Sequence, residues 1–291
     1  MTTTLNNLPD FDLLWNYSKP AETEQKFRTI LISVQSDSEP EYFAALLTQI
    51  ARCQGLQMNF DEALRTLERA EKMITEDMPL PRVRLLLERG RVINSSGSPL
   101  DSAPLFLKAW EIARAGFLDD YAVDAAHMLG IVLDPEAALE WNERACQAAE
   151  ESNDQRAKNW LGALYNNIGW TYHSKVDYKT ALNFFQKDEQ WYAERDMTTQ
   201  MRIARWSAAK MQRLLGETGI ALATQFQLEK ELMDINEQDG YVYEEIAECL
   251  LALKKESKEY FRKAYELLSE DKWLIRDEPQ RLERLNLLAK Y

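Results

Sequence analysis

The 291 residues are 45% hydrophobic and 29% charged, enough apolar material for a substantial core. The formal net charge of −13 sets phosphate repulsion against general nucleic-acid binding and against anionic membrane surfaces, and no run of Lys or Arg offers a local exception. No stretch approaches the roughly 20 apolar residues needed to span a bilayer, and no basic start followed by an apolar run marks a secretory signal.

In chain order, residues 1–10 are polar and expected to be flexible. Residues 11–38 read as an N-terminal capping region. Phe11 to Tyr17 is a short apolar segment, and Pro20 opens a helix to about Ser33 with Phe27, Ile30 and Leu31 on one face. From residue 39 to 270 a beat takes over. A small residue recurs at Ala51, Gly90, Gly130, Gly169, Ala209 and Ala247, at spacings of 39, 40, 39, 40 and 38 residues. A near-constant period of this size predicts a stack of helical hairpins, each covering its neighbour's apolar face. Residues 271–291 close the chain with a second capping helix. It has an acidic start at Asp277, Pro279 in its first turn and a basic end at Lys290. No alternating strand run occurs, and no linker interrupts the period.

The clearest unit of the beat runs from Trp160 to Phe185. Leu161, Leu164, Tyr165, Ile168, Gly169 and Tyr172 form one helical stripe. Asp177 is placed to cap a second helix, whose inner face carries Tyr178, Ala181, Leu182 and Phe185. Small residues at the crossing let the backbones approach. In repeat three, Asp134-Pro135 predicts a shortened turn, a cap followed by a first-turn proline.

Tyr165, Ile168-Gly169, Tyr172, Tyr178, Ala181 and Phe185 match in order the pattern of a tetratricopeptide repeat (TPR), with Asp188 where the pattern has its last Ala. The chain resembles the TPR family in a long-repeat form, since the usual repeat has about 34 residues. The resemblance implies an all-α fold: a right-handed α-solenoid of about six TPR-like hairpins with N- and C-terminal capping helices. It also implies that the first helix of each hairpin lines a concave groove.

Spacings of three and four from the small residue pick out the groove-facing positions. They hold Arg52, Arg84 and Arg91, then Tyr121, Asp124, His127 and Met128, then Trp160, Asn166, Asn167, Trp170 and His173. Trp206, Lys210 and Arg213 follow, and Tyr241, Glu244 and Glu248 come last. Asn amides can bond an extended backbone, Trp faces can bury apolar side chains, and Arg can pair with carboxylates. The expected partner-binding residues are Arg84, Arg91, His127, Asn166, Asn167, Trp170, Trp206 and Lys210. Each has a plainer reading as packing or as a solvated charge. Trp110, Trp141 and Trp191 fall on the second helices and read as filler between repeats.

The expected function is therefore a scaffold or adaptor that binds a peptide segment of another protein. The alternative is a regulatory sensor for a signalling peptide or small ligand. An enzyme is not expected, because no nucleophile, phosphate-loop or metal pattern occurs. Asp124, His127 and His173 could converge only as an acid–base group, and two histidines are too few for a zinc site. No cofactor is expected. The chaperone-type TPR groove, which holds a carboxylate through Lys and Asn, is matched only near Asn167. Val123, His127, Ile131, Ile203 and Ser207 stand at its other positions. Cys53, Cys146 and Cys249, an odd and scattered set, read as free thiols of a cytoplasmic protein. The capping helices predict a monomer.

Overall fold

The computed structural model describes residues 8–34 and 38–290. Residues 1–7 of the stretch expected to be flexible, and residues 35–37 of the N-terminal capping region, lie outside the described residues. Among the described residues the fold is all-α, without strands. The helices gather into two compact units, the first reaching to Trp160 and the second starting at Leu161.

The first unit opens with a 3-10 turn, Phe11–Leu14, and α1, Pro20–Ser33. Three hairpins follow: α2 (Pro40–Leu56) with α3 (Phe60–Glu71), α4 (Pro79–Ser95) with α5 (Pro99–Ala115), and α6 (Asp119–Val132) with α7 (Pro135–Glu151). A single turn of helix, α8 (Gln155–Lys158), ends it. The second unit pairs α9 (Leu161–Ser174) with α10 (Tyr178–Ala193), α11 (Thr198–Leu214) with α12 (Thr218–Met233), and α13 (Gly240–Ala252) with α14 (Lys258–Leu268). It closes with α15 (Lys272–Asp277) and α16 (Pro279–Leu288), so Asp277 ends one short helix and Pro279 opens the next.

Local chemistry sets these boundaries. Pro20, Pro40, Pro79, Pro99, Pro135 and Pro279 each occupy a first helical turn, where a missing N–H costs nothing. Asp134 caps α7 by accepting from the Glu136 and Ala137 amides, and Asp177 caps α10 through Thr180 N–H.

The small residues of the beat lie at helix crossings. A Cβ on Gly90 would stand 2.5 Å from the Phe106 ring, and one on Gly169 would stand 2.8 Å from Phe185. At Gly130 the facing side chain is Asn142, at 2.5 Å, so an amide fills the place that Phe takes in the other two hairpins. Ala51, Ala209 and Ala247 are fully buried. Phe106 and Phe185 are also among the largest completely buried side chains, which ties close helix approach to core filling.

Most turns between helices contain one residue in the left-handed region: Met58, Gly97, Phe117, Val176, Asp196, Gly216, Asn236 and Lys254. Val176, at φ 63° and two-thirds exposed, is the least suited, because its branched Cβ crowds the backbone there. Asp188 on α10 is also out of keeping with its surroundings. It is 2% exposed, its Oδ1 has no hydrogen-bond partner, and burial pushes its carboxyl up to about 7.

Two stability predictions follow from these strained positions. Val176→Gly raises unfolding stability by about 1 kcal/mol in a urea titration, since glycine pays no steric penalty in that turn. Asp188→Ala raises it by about 2–4 kcal/mol at pH 8, by removing a buried charge without a partner. In the folded chain Asp188 keeps its proton where the unfolded chain has lost it. The gain from Asp188→Ala therefore shrinks as pH falls from about 7 towards the ordinary aspartate value of about 3.9.

Candidate functional site

In the second unit α9, α11, α13 and α16 together line an open cavity of about 830 Å³. Aromatic rings step across three of these helices. Trp170 and Trp206 have ring centroids 5.9 Å apart, and Trp206 and Tyr241 are 5.8 Å apart. The Trp206 indole N–H donates to the Tyr241 carbonyl at 3.0 Å, which fixes the ring against α13. Trp170 is seated on the buried Phe185 ring and meets His173 edge-on, at 5.1 and 5.2 Å.

Beside the rings, charges alternate in sign from helix to helix. Lys210 and Arg213 of α11 both pair with Glu245 of α13, at 2.9 and 2.7 Å. Glu244 of α13 accepts from Nε and Nη2 of Arg281 on α16, at 2.9 and 2.6 Å, while Arg281 Nη1 donates to Glu278, and Glu248 pairs with Arg284. The Glu245 side chain is nearly completely buried. Burial alone would raise its pKa, but Lys210 and Arg213 outweigh that and hold it below the usual glutamate range. Lys210 also stands 5.3 Å from the Trp206 ring, and Arg281 stands 5.4 Å from that of Tyr241. Burial, with Lys210 nearby, lowers the pKa of His173, so its imidazole is neutral at pH 7.

Trp206 has a second role. Its ring also lines a mostly apolar cavity of about 410 Å³, together with Ile203, Leu228, Leu232, Tyr241 and Val242. Thr199, Arg202, Glu237, Gln238 and Asp239 complete the lining. A volume of this size with few polar groups suits a compact organic ligand or a large side chain.

In the first unit the corresponding faces of α2, α4 and α6 carry a closed ion-pair network. Glu88, 4% exposed, accepts from Arg52 at 3.0 Å and from Arg91 at 2.7 Å, and Arg91 pairs again with Asp124. A cavity of about 220 Å³ lies beside Arg52, Glu88, Arg91 and Met128. Arg84 is buried and holds Asp12 and the Tyr121 hydroxyl. His127 lies 5.3 Å from the Trp160 ring, its Nδ1 is buried without a partner, and burial lowers its pKa. The Trp160 indole donates to Asp120 at 2.9 Å.

The eight residues singled out in the sequence thus divide between the units. Arg84, Arg91 and His127 are in the first, each packed among side chains of its own unit. Trp170, Trp206 and Lys210 come together in the second and line the larger cavity. Asn166 and Asn167 are half-buried one turn earlier on α9, outside that lining. Asp124 and His127 lie in one unit and His173 in the other. Among the described residues, no three His, Cys, Asp or Glu side chains gather as a metal site requires. Sequence reasoning missed Glu245, Arg281 and Arg284. Glu245 falls one place after Glu244 on α13, while the two arginines lie beyond the periodic region, three apart on the closing helix. Trp110 and Trp141 pack edge to face at 5.6 Å between α5 and α7. The three cysteines are buried and none is in a disulfide, and burial pushes Cys53 and Cys249 up to about 12, which leaves those two as inert thiols. No helix among the described residues is long and apolar enough to cross a membrane.

No family model and no curated protein matches the sequence. Solved structures do match. A signal transduction ATPase with a tetratricopeptide repeat sensor, from Pyrococcus horikoshii, is similar over 91% of this chain, with a TM-score of 0.69 and 12% identity. This chain covers only 41% of that protein's length. RapI in its apo form is similar over 98% of this chain and 86% of its own, at a TM-score of 0.65 and 14% identity. The chain has a TPR-like helical-repeat fold. The apo quorum sensor NprR from B. thuringiensis adds a third case, with a TM-score of 0.59 and 15% identity over 95% of this chain and 83% of its own. At such identities the likeness of the TPR-like chain to these structures concerns the fold.

The buried Glu245 gives a testable consequence. Glu245→Gln lowers stability at pH 7 by about 3 kcal/mol in urea unfolding, because Lys210 and Arg213 lose their counter-charge. A lowered carboxylate pKa contributes stability above the unfolded value and loses it as pH falls. The difference between the variant and the parent is therefore constant above about pH 5 and narrows below the ordinary glutamate value of about 4.3.

Proposed function

We propose that this TPR-like protein is a scaffold or adaptor that binds a peptide segment of a partner protein across α9, α11, α13 and α16 of its second unit. The observation that carries the reading is Trp206. Its ring forms part of both an 830 Å³ charged cavity and a 410 Å³ apolar one, so a bound peptide can lie along the first and place an apolar side chain in the second. Trp170 supplies a second apolar face. Lys210 and Arg213, sharing one carboxylate, keep donors for an acidic group of the peptide, and Glu244 and Glu248 can exchange their arginines for its cations. Asn166 and Asn167 offer amides further along α9. The net charge of −13 favours a protein partner over a nucleic acid. The protein acts as a monomer, with no catalysis of its own.

A sensor of a short signalling peptide is the second reading. The apolar cavity favours it, since about 410 Å³ is enough for a small ligand or a few side chains. One fold neighbour is described as an ATPase with a tetratricopeptide repeat sensor and another as a quorum sensor.

Selection from a displayed random-peptide library on the purified chain tests both readings. Enriched peptides should share a bulky apolar residue near an acidic one. Trp206→Ala and Lys210→Ala should each weaken them by about tenfold or more, on the scale of a lost hot-spot contact. Thermal unfolding of the variants guards against simple misfolding. Undiminished binding to both variants would sink the site. Selected sequences no longer than four or five residues would favour the sensor.

A further inference from the structure

The first unit already contains a peptide on its groove-facing side: its own residues 11–17. The bonds that join this segment to α2 and α4 come from side chains. Asp12 pairs with Arg84 of α4, and the Trp15 indole donates to Gln49 of α2 at 3.0 Å. Arg84 also lies against the Phe11 ring, 5.1 Å from its centroid. Trp15 and Tyr17 stack at 4.7 Å, with Arg52 of α2 facing both rings at 5.9 and 5.4 Å. Arg52 and Arg84 are groove-facing positions of their repeats, the ones a bound ligand would touch, and Gln49 lies three residues before Arg52 on α2.

The segment's other side is open. Leu13 is 82% and Tyr17 60% exposed, and the helical part is one turn long. Asn16 to Lys19 forms a turn that leads into α1, whose Thr23 hydroxyl accepts from the Asn16 amide at 3.2 Å and whose Phe27 meets the Phe11 and Trp15 rings at 6.1 and 5.3 Å, so an incoming peptide must replace these ring contacts as well. Arg84 would be a buried cation without a carboxylate if Asp12 were elsewhere, so the site has a chemical demand that Asp12 meets. The segment also leaves room beyond Tyr17. Arg52, which faces its rings, is at the same time a wall of the 220 Å³ cavity bounded by Glu88, Arg91 and Met128. A longer peptide could keep the same contacts and gain that space.

We propose that the face of α2 and α4 in the first unit is a second binding site, specific for peptides with an aromatic–acidic pair followed by a further aromatic three residues after the acid, and that residues 11–17 are its exchangeable resident. Phe11, Asp12 and Trp15 are the internal copy of that ligand. Arg84 reads the acid, Gln49 and Arg52 read the second aromatic, and a partner segment of this class displaces the resident from the groove. The site is independent of the second-unit groove and stands whether or not that groove binds peptide.

The probe is a synthetic peptide of residues 8–18, Leu-Pro-Asp-Phe-Asp-Leu-Leu-Trp-Asn-Tyr-Ser, with a fluorophore at its C-terminus, titrated into full-length chain and followed by anisotropy. In the Asp12→Ala/Trp15→Ala chain the resident is weakened, and the probe should bind about tenfold tighter or better than to the unaltered chain, because the competent fraction rises. Adding Arg84→Ala should abolish the gain, and a probe with Asn in place of its second Asp should bind as weakly. Hydrogen exchange on the unaltered chain supplies the measurement that needs no variant. Excess unlabelled probe should raise exchange in residues 11–17 while α1 and α2 stay protected. No binding to the double variant, binding indifferent to Arg84, opening of 11–17 only together with α2, or a dimer that exchanges its N-terminal segments would each overturn the proposal.

Discussion

The structure depends on how closely paired helices can approach. At Gly90, Gly130 and Gly169 the missing side chain is what admits Phe106, Asn142 and Phe185. Each filled gap fixes the crossing of one hairpin, and the crossing fixes which face of the first helix is left over. That remaining face carries the rings of Trp170 and Trp206, the charges of Lys210 and Arg213, and in the first unit Arg52 and Arg84. Packing on one side of a helix thus decides the chemistry presented on the other.

Electrostatics then joins the helices that packing has placed side by side. In the second unit each groove cation reaches a carboxylate of another helix: Lys210 and Arg213 reach α13, and Arg281 and Arg284 reach back to it from α16, Arg281 also holding Glu278 at the start of its own helix. Such pairs hold neighbouring repeats in register while leaving their outer atoms available to a ligand. The strongly negative composition therefore says little about the groove itself, where cations and carboxylates are nearly balanced.

Much of the fold was legible in the sequence because the crossings repeat. One small residue every 38 to 40 positions, with proline or aspartate at helix starts, is a local signal, and Pro20, Asp134 and Asp177 all act where the sequence puts them. The candidate site was legible only in part. Trp170, Trp206 and Lys210 obey the period and could be placed on one face. Arg281 and Arg284 sit past its end, and nothing in their spacing says which glutamates they meet. The contact of Asp12 with Arg84 spans 72 residues and joins a non-repeating segment to a repeating one, so no periodic rule reaches it. The division at Trp160 was equally invisible, since the beat passes through it and only the short α8 marks the place.

The indole of Trp206 has a mechanical consequence. One flat ring serves as a partition between two hollows, and its N–H is tethered to the first turn of α13. A partition cannot make room on both sides at once. A rotation that enlarged the oily chamber would narrow the charged channel and strain the tether to the start of the neighbouring helix.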